Sequence, residues 1–336
     1  MKCILLQKQI FGFINYLRHS KLIKKTLVVV LIYNLQFIIY NLFAAFQDYG
    51  WSVRAEGMGG VFVAKSDDPS GISYNPAGIS FVAQRDIVLM YAKPYLGLEG
   101  VDFGLMSFSG VIPAEKFSFG VSYNRYNISE LYVESAGILS FASGLKKYNI
   151  NLPEITIGVN IKYLSKKYFY DEEVKILEPG LKDSKSVISF DIGSIYKPVE
   201  KLSLGVSIKD LNSPNISVFE DGQDIIPRTI KFGLSYNFGD IKNFEDLSVG
   251  SDISYREQEW GESGDKIDVS IGLETYFSFH TYVLRVGGNK TGVSFGAGYL
   301  KQLGNNFTIQ INYSLGFSTI YTEGYGTHKI SLDLKF

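Results

Sequence analysis

The sequence predicts an all-β protein, a transmembrane antiparallel β-barrel of about 14 strands with a short N-terminal hatch or plug segment. Three observations predict it. Apolar and polar residues alternate with period two along most of the chain beyond residue 86. Many alternating segments are ten residues or longer, and a tilted strand needs about 9–11 residues to cross a bilayer. Aromatic residues reach 15%, which suits twisted sheets and membrane–water interfaces.

The clearest alternation is FTIQINYSLGF, residues 307–317. Because successive strand side chains point to opposite faces, this segment has one apolar face and one polar face. The same pattern predicts strands at 86–95, 100–112, 116–126, 131–145, 154–166, 186–197, 202–210, 227–238, 246–255, 266–277, 281–290, 292–302, 305–317 and 326–336. A sheet of this size in lipid must close, because unpaired backbone groups in hydrocarbon cost several kcal/mol each.

The connections between these segments alternate in length. The longest ones, 167–185, 211–226, 256–265 and 318–325, are all odd-numbered, and most even-numbered ones are short. Bacterial outer-membrane barrels have short periplasmic turns and longer external loops. With both ends of the barrel in the periplasm, every long connection is therefore expected outside, in the outer membrane of a Gram-negative-type bacterium.

The final strand, HKISLDLKF, places Leu332, Leu334 and Phe336 on one face. A terminal aromatic residue on an alternating strand resembles the C-terminal signal read by the barrel-assembly machinery of bacterial outer membranes. The alternative is the closing strand of a soluble sandwich, in which a terminal Phe has no special meaning.

Residues 1–45 predict a signal peptide: a basic lead-in, an apolar core and small residues at Ala44 and Ala45. The long lead-in is also compatible with a true start downstream of Met1, and the apolar stretch with an uncleaved anchor. The only cysteine, Cys3, lies in this region, which excludes disulfides and thiolate sites from the remainder. Beyond the leader no basic patch occurs, so nucleic acid is excluded as a partner.

Residues 46–82 precede the barrel, 83–336, and contain two prolines and many glycines that weaken strands. The segment is too long and too apolar for a plain linker. A compact hatch inside the barrel accounts for this, and so does a periplasmic tail with ordinary turns at Asp-Pro and Asn-Pro.

The run RAEGMGGVFVAKSDDPSGISYNPAGIS, residues 54–80, resembles the N-terminal signature of FadL-like outer-membrane proteins, and within them the PorV/PorQ group. The signature residues are Gly57, Met58, Gly59, Gly60, Asp67 and Asp68, and the hatch motif is Asn75, Pro76, Ala77 and Gly78. The resemblance implies a 14-stranded barrel whose N-terminal hatch ends at the Asn-Pro-Ala motif. It also implies a role in type IX secretion, with cargo received at the outer membrane.

No catalytic or metal site and no cofactor are predicted. Acidic residues recur on the polar strand faces, at Asp191, Asp252, Asp268, Glu274 and Asp333, and a hydrated lumen lining explains them better than an acid/base pair. The histidines are three and widely separated, and Gly57 to Gly60 lacks the Lys-Ser/Thr of a phosphate loop.

The sequence therefore predicts a non-enzymatic barrel that docks secreted cargo or other secretion components at the outer membrane. Passive, hatch-gated transport of a hydrophobic ligand is the alternative, and a lipid-modifying enzyme is a more distant one. The expected partners are outer-membrane lipid, the barrel-assembly machinery, and either cargo or a hydrophobic ligand.

Overall fold

The computed structural model describes residues 46–98, 100–148, 153–170, 180–257, 266–304, 306–319 and 324–336. The predicted signal peptide lies outside the described residues, so its cleavage stays a prediction.

Fourteen antiparallel strands form one closed barrel, as the alternation predicted. The strands are β1 (Asp86–Lys93), β2 (Phe103–Pro113), β3 (Ser118–Ile128), β4 (Tyr132–Gly144), β5 (Glu154–Tyr168), β6 (Ser184–Val199), β7 (Leu202–Lys209), β8 (Thr229–Ile241), β9 (Phe244–Arg256), β10 (Lys266–Phe277), β11 (Tyr282–Asn289), β12 (Gly292–Leu303), β13 (Phe307–Ser318) and β14 (Thr327–Lys335). Every predicted strand is present, with each boundary within about three residues.

Pairing of β1 with β14 closes the barrel, with Ile87 opposite Leu334 and Leu89 opposite Leu332. The backbone N–H of the terminal Phe336 donates to the carbonyl oxygen of Arg85 at 2.8 Å. Closure gives each strand two hydrogen-bonded neighbours, which is the condition for placing strands in hydrocarbon.

The two faces of each strand have the predicted polarity. On β5, the apolar side chains of Ile157, Ile161 and Tyr163 point outwards and are 45–58% exposed. Asn160 and Lys162, between them, point inwards and are at most 5% exposed. The barrel therefore has an apolar exterior and a polar interior, which is the reverse of a soluble protein.

Alternate connections lie at opposite ends of the barrel. At the loop end β1 leads into β2, β3 into β4, β5 into β6, β7 into β8, β9 into β10, β11 into β12 and β13 into β14. At the turn end β2 leads into β3, β4 into β5, β6 into β7, β8 into β9, β10 into β11 and β12 into β13, and β1 begins and β14 ends there. The four longest predicted connections all join strand ends at the loop end.

Two connections differ from expectation. The expected turn at 239–246 is a hairpin of only 242–243, because bulges at Gly239 and Ile241 let β8 and β9 continue pairing to Ile241 and Phe244. The first connection, expected to be short, covers 94–102.

The helical elements of the described residues are short. They are α1 (Val53–Gly57) and the 3-10 helices η1 (Pro69–Ser73), η2 (Pro76–Phe81) and η3 (Leu145–Tyr148). Among the described residues, no helix has the length and apolar character needed to cross a membrane.

Candidate functional site

Residues 46–82, which we call the luminal segment, contact inward-facing side chains of the barrel wall. Near its start, the carboxylate of Asp48 lies 3.6 Å from the ammonium nitrogen of Lys209, at the loop end. Near its finish, the ring of Phe81 lies 3.6 Å from the ammonium nitrogen of Lys197, at the turn end. The segment thus runs through the lumen from one end to the other.

The Gly57–Gly60 part of the signature forms a tight turn after α1. The hydroxyl of Ser52 caps this helix by accepting from the N–H of Ala55 at 3.2 Å. Gly59 and Gly60 then adopt φ values of +71° and +92°, in the left-handed region that favours glycine. The turn points Met58, which has no exposed surface, into the barrel wall.

Three pairs of glycines on neighbouring strands receive the backbone of the luminal segment. We call them the glycine pairs. They are Gly272 with Gly287, which face Met58; Gly205 with Gly233, which face Val63 and Ala64; and Gly158 with Gly193, which face Asn75 and Pro76.

The approach at each glycine pair is too close for any side chain. A Cβ on Gly287 would lie 2.1 Å from the carbonyl carbon of Met58. On Gly158 it would lie 2.3 Å from the carbonyl carbon of Pro76. Both gaps are far below normal carbon–carbon contact, so these wall positions accept only glycine while the segment is docked.

A buried ion cluster also holds the segment against β10 and β11. The Glu274 carboxylate is fully buried and lies 2.8 Å from Arg54 Nε, 2.8 Å from Lys65 Nζ and 2.6 Å from Arg285 Nε. Arg54 and Lys65 belong to the segment, whereas Glu274 and Arg285 belong to β10 and β11. Such pairs resist disruption, because loss of one partner leaves a buried charge uncompensated.

The two signature aspartates continue this cluster. Arg54 Nη1 lies 2.6 Å from Asp67 and 3.1 Å from Asp68. Partial loss of hydration alone would raise the pKa of the half-exposed Asp67, but the charges of Arg54 and Lys65 hold that pKa below its usual value. Asp68 also caps η1 by accepting from the N–H of Ser70 at 2.9 Å. The aspartates therefore connect the helical turn to η1.

Asn75 of the hatch motif binds both the segment and the wall, and it is completely buried. Its amide nitrogen donates to the carbonyl oxygens of Val63, Ser194 and Val206 at 2.9, 3.2 and 3.3 Å. Its side-chain oxygen accepts from the N–H of Ala77 at 3.2 Å and so caps η2.

The other motif residues act by shape. Pro76 occupies the first turn of η2, where its missing N–H costs little. Gly78 passes so close to Ser66 that an added Cβ would lie 1.9 Å from its carbonyl oxygen. The hatch motif thus folds the segment onto itself and onto β5, β6 and β7.

Asp252, one of the acidic residues singled out from the sequence, also binds segment backbone. Its Oδ2 atom accepts from the N–H groups of Phe62 and Val63 at 2.7 and 2.9 Å. Asp191 lies 2.6 Å from the ammonium nitrogen of Lys162. Asp333 accepts from the amide of Asn312 at 2.9 Å. These carboxylates fix the lumen lining and the segment in place.

The connection 210–228 folds inwards at the loop end. Its Ile216 and Ile226 are buried at 0% and 1% exposure, in an apolar cluster with Leu164 of the wall. Asp224 forms an ion pair with Lys166 on β5. This connection and the luminal segment therefore both narrow the lumen at its loop end.

One cavity at the loop end of the lumen is small. It has a volume of about 50 Å³ and lies between Phe46, Trp51 and the walls of β3 to β7, with Glu134, Lys162 and Asp191 in its lining. This volume holds a few water molecules and is far below the roughly 300–1,000 Å³ of ligand pockets. As described, the cavity does not accommodate a drug-sized or larger apolar molecule.

The remaining predicted residues lie apart from this site. Leu332 and Leu334 are half-buried and Phe336 is exposed, on the outer face at the turn end. His280 lies in the connection 278–281 at the turn end, and His328 on β14 lies 2.6 Å from the hydroxyl of Tyr313 on β13. Among the described residues, no group of three or more His, Cys, Asp or Glu side chains could hold a metal ion.

A family comparison decides where this barrel belongs. Residues 70–334 match the family described as type IX secretion system membrane protein PorP/SprF. The chain belongs to the PorP/SprF family. The PorP/SprF match begins within η1 and covers β1 to β13 and β14 up to Leu334, and it agrees with the type IX secretion role implied by the signature. Membership of the PorV/PorQ group is not confirmed by this match and stays a prediction.

Solved structures show the same fold at low identity. A Pseudomonas aeruginosa FadL homologue is 15% identical with a TM-score of 0.56, covering 85% of this chain and 98% of that one. The Pseudomonas putida toluene transporter TodX is 12% identical with a TM-score of 0.56, covering 87% and 98%. The CymD monoaromatic hydrocarbon channel is 13% identical with a TM-score of 0.54, covering 87% and 99%.

These comparisons show that the chain has the fold of FadL-like membrane barrels and belongs to a secretion family. The family and its structural neighbours are secretion components and transport channels, not enzymes. No protein of curated function matches the chain significantly.

Proposed function

We propose that this PorP/SprF barrel serves type IX secretion as a docking component for secreted cargo or other secretion proteins at the outer membrane. The observation that carries the proposal, beside the family match, is the filled lumen. The luminal segment runs from Asp48 to Phe81 and is held by ion pairs and glycine pairs. A barrel filled in this way favours the role of a scaffold, in which the exposed loops and the apolar wall present the binding surfaces.

The orientation follows from the connections. The loop end carries the long connections, which in outer-membrane barrels face outwards, and the turn end faces the periplasm. The external docking surface then includes the connection 210–228, whose tip exposes Phe219 at 45%. Outer-membrane lipid covers the apolar exterior, and the barrel-assembly machinery reads the final strand with Leu332, Leu334 and Phe336.

The test is recovery of cargo with the tagged barrel from its native outer membrane after mild cross-linking. We expect secreted proteins that carry C-terminal signal domains to be recovered with the wild-type barrel. Phe219→Ser at the loop end should reduce that recovery several-fold. Phe279→Ser removes a 96% exposed aromatic from the turn end and should leave it unchanged. Equal recovery from both variants, or none from the wild type, contradicts docking at the loop end.

Passive, hatch-gated transport of a hydrophobic ligand is the second candidate. The FadL-like fold and the inward apolar cluster around Leu164 and Ile216 favour it. In this reading Asn75 to Gly78 form a hatch that must move, because a cavity of about 50 Å³ admits no apolar ligand. Mass spectrometry of lipid extracts from the purified barrel distinguishes the two. A stoichiometric apolar compound supports transport, and its absence together with recovered cargo supports docking.

A further inference from the structure

Phe46, the first described residue, has its backbone nitrogen beside a buried carboxylate of the barrel wall. This nitrogen lies 3.1 Å from Glu134 Oε1 on β4. Glu134 is only 3% exposed, and the same Oε1 accepts from the hydroxyl of Tyr132 at 2.6 Å. The hydroxyl of Tyr49 lies 3.5 Å from the same atom. The three donors crowd around one oxygen of the carboxylate.

The second oxygen of the Glu134 carboxylate receives none of these donors. Glu134 Oε2 is buried and has no hydrogen-bond partner among the described residues. A buried carboxylate oxygen without a donor is costly, because carboxylates lose much hydration on burial. A peptide N–H carries one hydrogen and serves Oε1 only. An ammonium group carries three hydrogens and serves both oxygens.

None of the groups that donate hydrogen bonds to Glu134 carries a charge, and Lys166, which lies opposite Glu134 in the β4–β5 register, forms its ion pair with Asp224. Asp48 lies beside the ammonium groups of Lys209 and Lys231 at the same end of the barrel. Asp224 has Lys166 as its partner. Glu134 instead receives three neutral donors, one amide and two phenols. One positive charge at the nitrogen of Phe46 would give it the partner that these neighbouring carboxylates have.

The backbone of Phe46 adds an independent observation. Phe46 has a φ of +61°, in the left-handed region that a bulky residue avoids. The strain at positive φ arises because the Cβ atom comes close to the carbonyl groups on either side of the residue. The angle φ itself is defined by the carbonyl carbon of the preceding residue. In a chain that begins at Phe46 that carbonyl is absent, and this rotation is free.

We propose that Phe46 is the first residue of the mature chain and that Glu134 binds its α-ammonium group. Hydrolysis of the Ala45–Phe46 peptide bond adds the hydroxyl of water to the Ala45 carbonyl carbon and a proton to the Phe46 nitrogen. The new amine takes up a second proton and donates to both oxygens of Glu134, as charge-assisted hydrogen bonds. The site is an amine receptor built into the wall.

The side chain of Phe46 secures the same position. It packs against the apolar cluster that contains Ile138 and Leu164 of the wall and Ile216 of the inward-folded connection. An aromatic side chain and an ammonium group on one residue thus meet an apolar patch and a carboxylate. Removal of the leader thereby fastens the luminal segment at the loop end, and the uncleaved chain lacks the charge needed for this contact.

The first experiment is mass determination of the intact barrel purified from outer membranes, with sequencing of its N-terminal peptide. A mature chain that starts at Phe46 supports the proposal, and any other start overturns it. The second is labelling of the folded barrel with a limiting amount of an amine-reactive ester near pH 6.5, read on the N-terminal peptide. We expect labelling of the wild type at least about tenfold slower than after heat denaturation, because the docked amine is protected.

Glu134→Gln keeps the shape of the side chain and removes its charge, so the amine should label close to the denatured rate. Asp333→Asn, in which the buried carboxylate accepts from the wall side chains of Asn312 and Ser331 and does not contact the luminal segment, is the matched control and should stay protected. Heat-dependent mobility on gels checks that each barrel is assembled. If Glu134→Gln fails to assemble, a glycine inserted before Phe46 moves the amine by about 3.8 Å and should also expose it. Unchanged protection in the variant that assembles overturns the proposal.

Discussion

Gly272 and Gly287 lie opposite each other on β10 and β11, and the backbone of Met58 occupies the space that their side chains would fill. A Cβ would come within 2.2 Å of the Met58 carbonyl oxygen from Gly272, and within 2.1 Å of its carbonyl carbon from Gly287. The luminal segment and the wall are therefore complementary at the level of backbone atoms.

Gly287→Ala should loosen the luminal segment. Overpacking of this kind costs about 1–3 kcal/mol, and here the clash is with backbone that cannot rotate away. We expect faster protease cleavage within the segment and a lower unfolding temperature. Gly137→Ala on β4, where an added Cβ meets no atom within 4 Å, is the matched control. Equal behaviour of both variants would mean that the docked arrangement is not the dominant one.

Glu274→Gln should destabilise the barrel strongly. The change leaves Arg54, Lys65 and Arg285 without their shared carboxylate, and breaking a buried pair costs about 3–5 kcal/mol. Asp102→Asn breaks the Lys93–Asp102 pair, whose side chains are 34% and 67% exposed, and should cost far less, because solvent screens the two charges. Urea unfolding of the two variants measures the difference, and a similar small loss in both contradicts the ion cluster.

Acidification should release the segment through Asp67. Its folded pKa lies below the ordinary value of 3.8, so its contribution is complete above that pH and is lost as pH falls through the folded pKa. The expected effect is modest, because the side chain is 42% exposed. Protease cleavage of the segment should therefore rise below about pH 4. Asp67→Asn should cleave faster at neutral pH and show a weaker rise, and an identical pH profile would exclude this role.

Asn75→Ala should increase ion conductance through the barrel in planar bilayers. The change removes donors to three backbone carbonyls and the cap of η2, a loss of about 1–3 kcal/mol. Asn237→Ala is the control, because its side chain binds only the nearby Gly239 N–H and Asp246 carboxylate at the turn end. If Asn75→Ala stays as closed as the control, the motif is not what holds the lumen shut.

Phe336→Ala should lower the amount of assembled barrel in the membrane several-fold. Phe336 is 45% exposed on the outer face, so its side chain contributes little to the packed interior. The expected loss therefore acts through recognition during assembly. Purified and refolded Phe336→Ala should keep nearly the wild-type unfolding temperature. A large fall in that temperature would assign the residue to stability instead.

The site was only partly predictable from the sequence. The resemblance of residues 54–80 to the FadL-like signature identified Asp67, Asp68 and Asn75, whereas composition alone fitted a periplasmic tail equally well. The sequence analysis did not predict the role of the glycine pairs, although Gly158 and Gly272 occupy the polar face of alternating strands. A missing side chain in the middle of a long strand is the signal that could have found them.

The partners of the buried charged residues could not be predicted from the sequence, for a different reason. Arg54 and Glu274 are 220 positions apart, and alternation assigns Glu274 to the inner face without showing which cation meets it. The lengths of two connections were also predicted incorrectly. The hairpin at 242–243 depends on bulges in β8 and β9, which the alternation of apolar and polar residues does not reveal.

The sequence by itself determined the strands, their inward and outward faces and the closed barrel, because period two and lipid solvation act locally on each strand. Only the tertiary structure decided that residues 46–82 fill the lumen, which glycines receive them, and that Phe46 meets Glu134. These contacts join residues far apart in the chain, and barrel closure brings them together through register and shape, which no local pattern encodes.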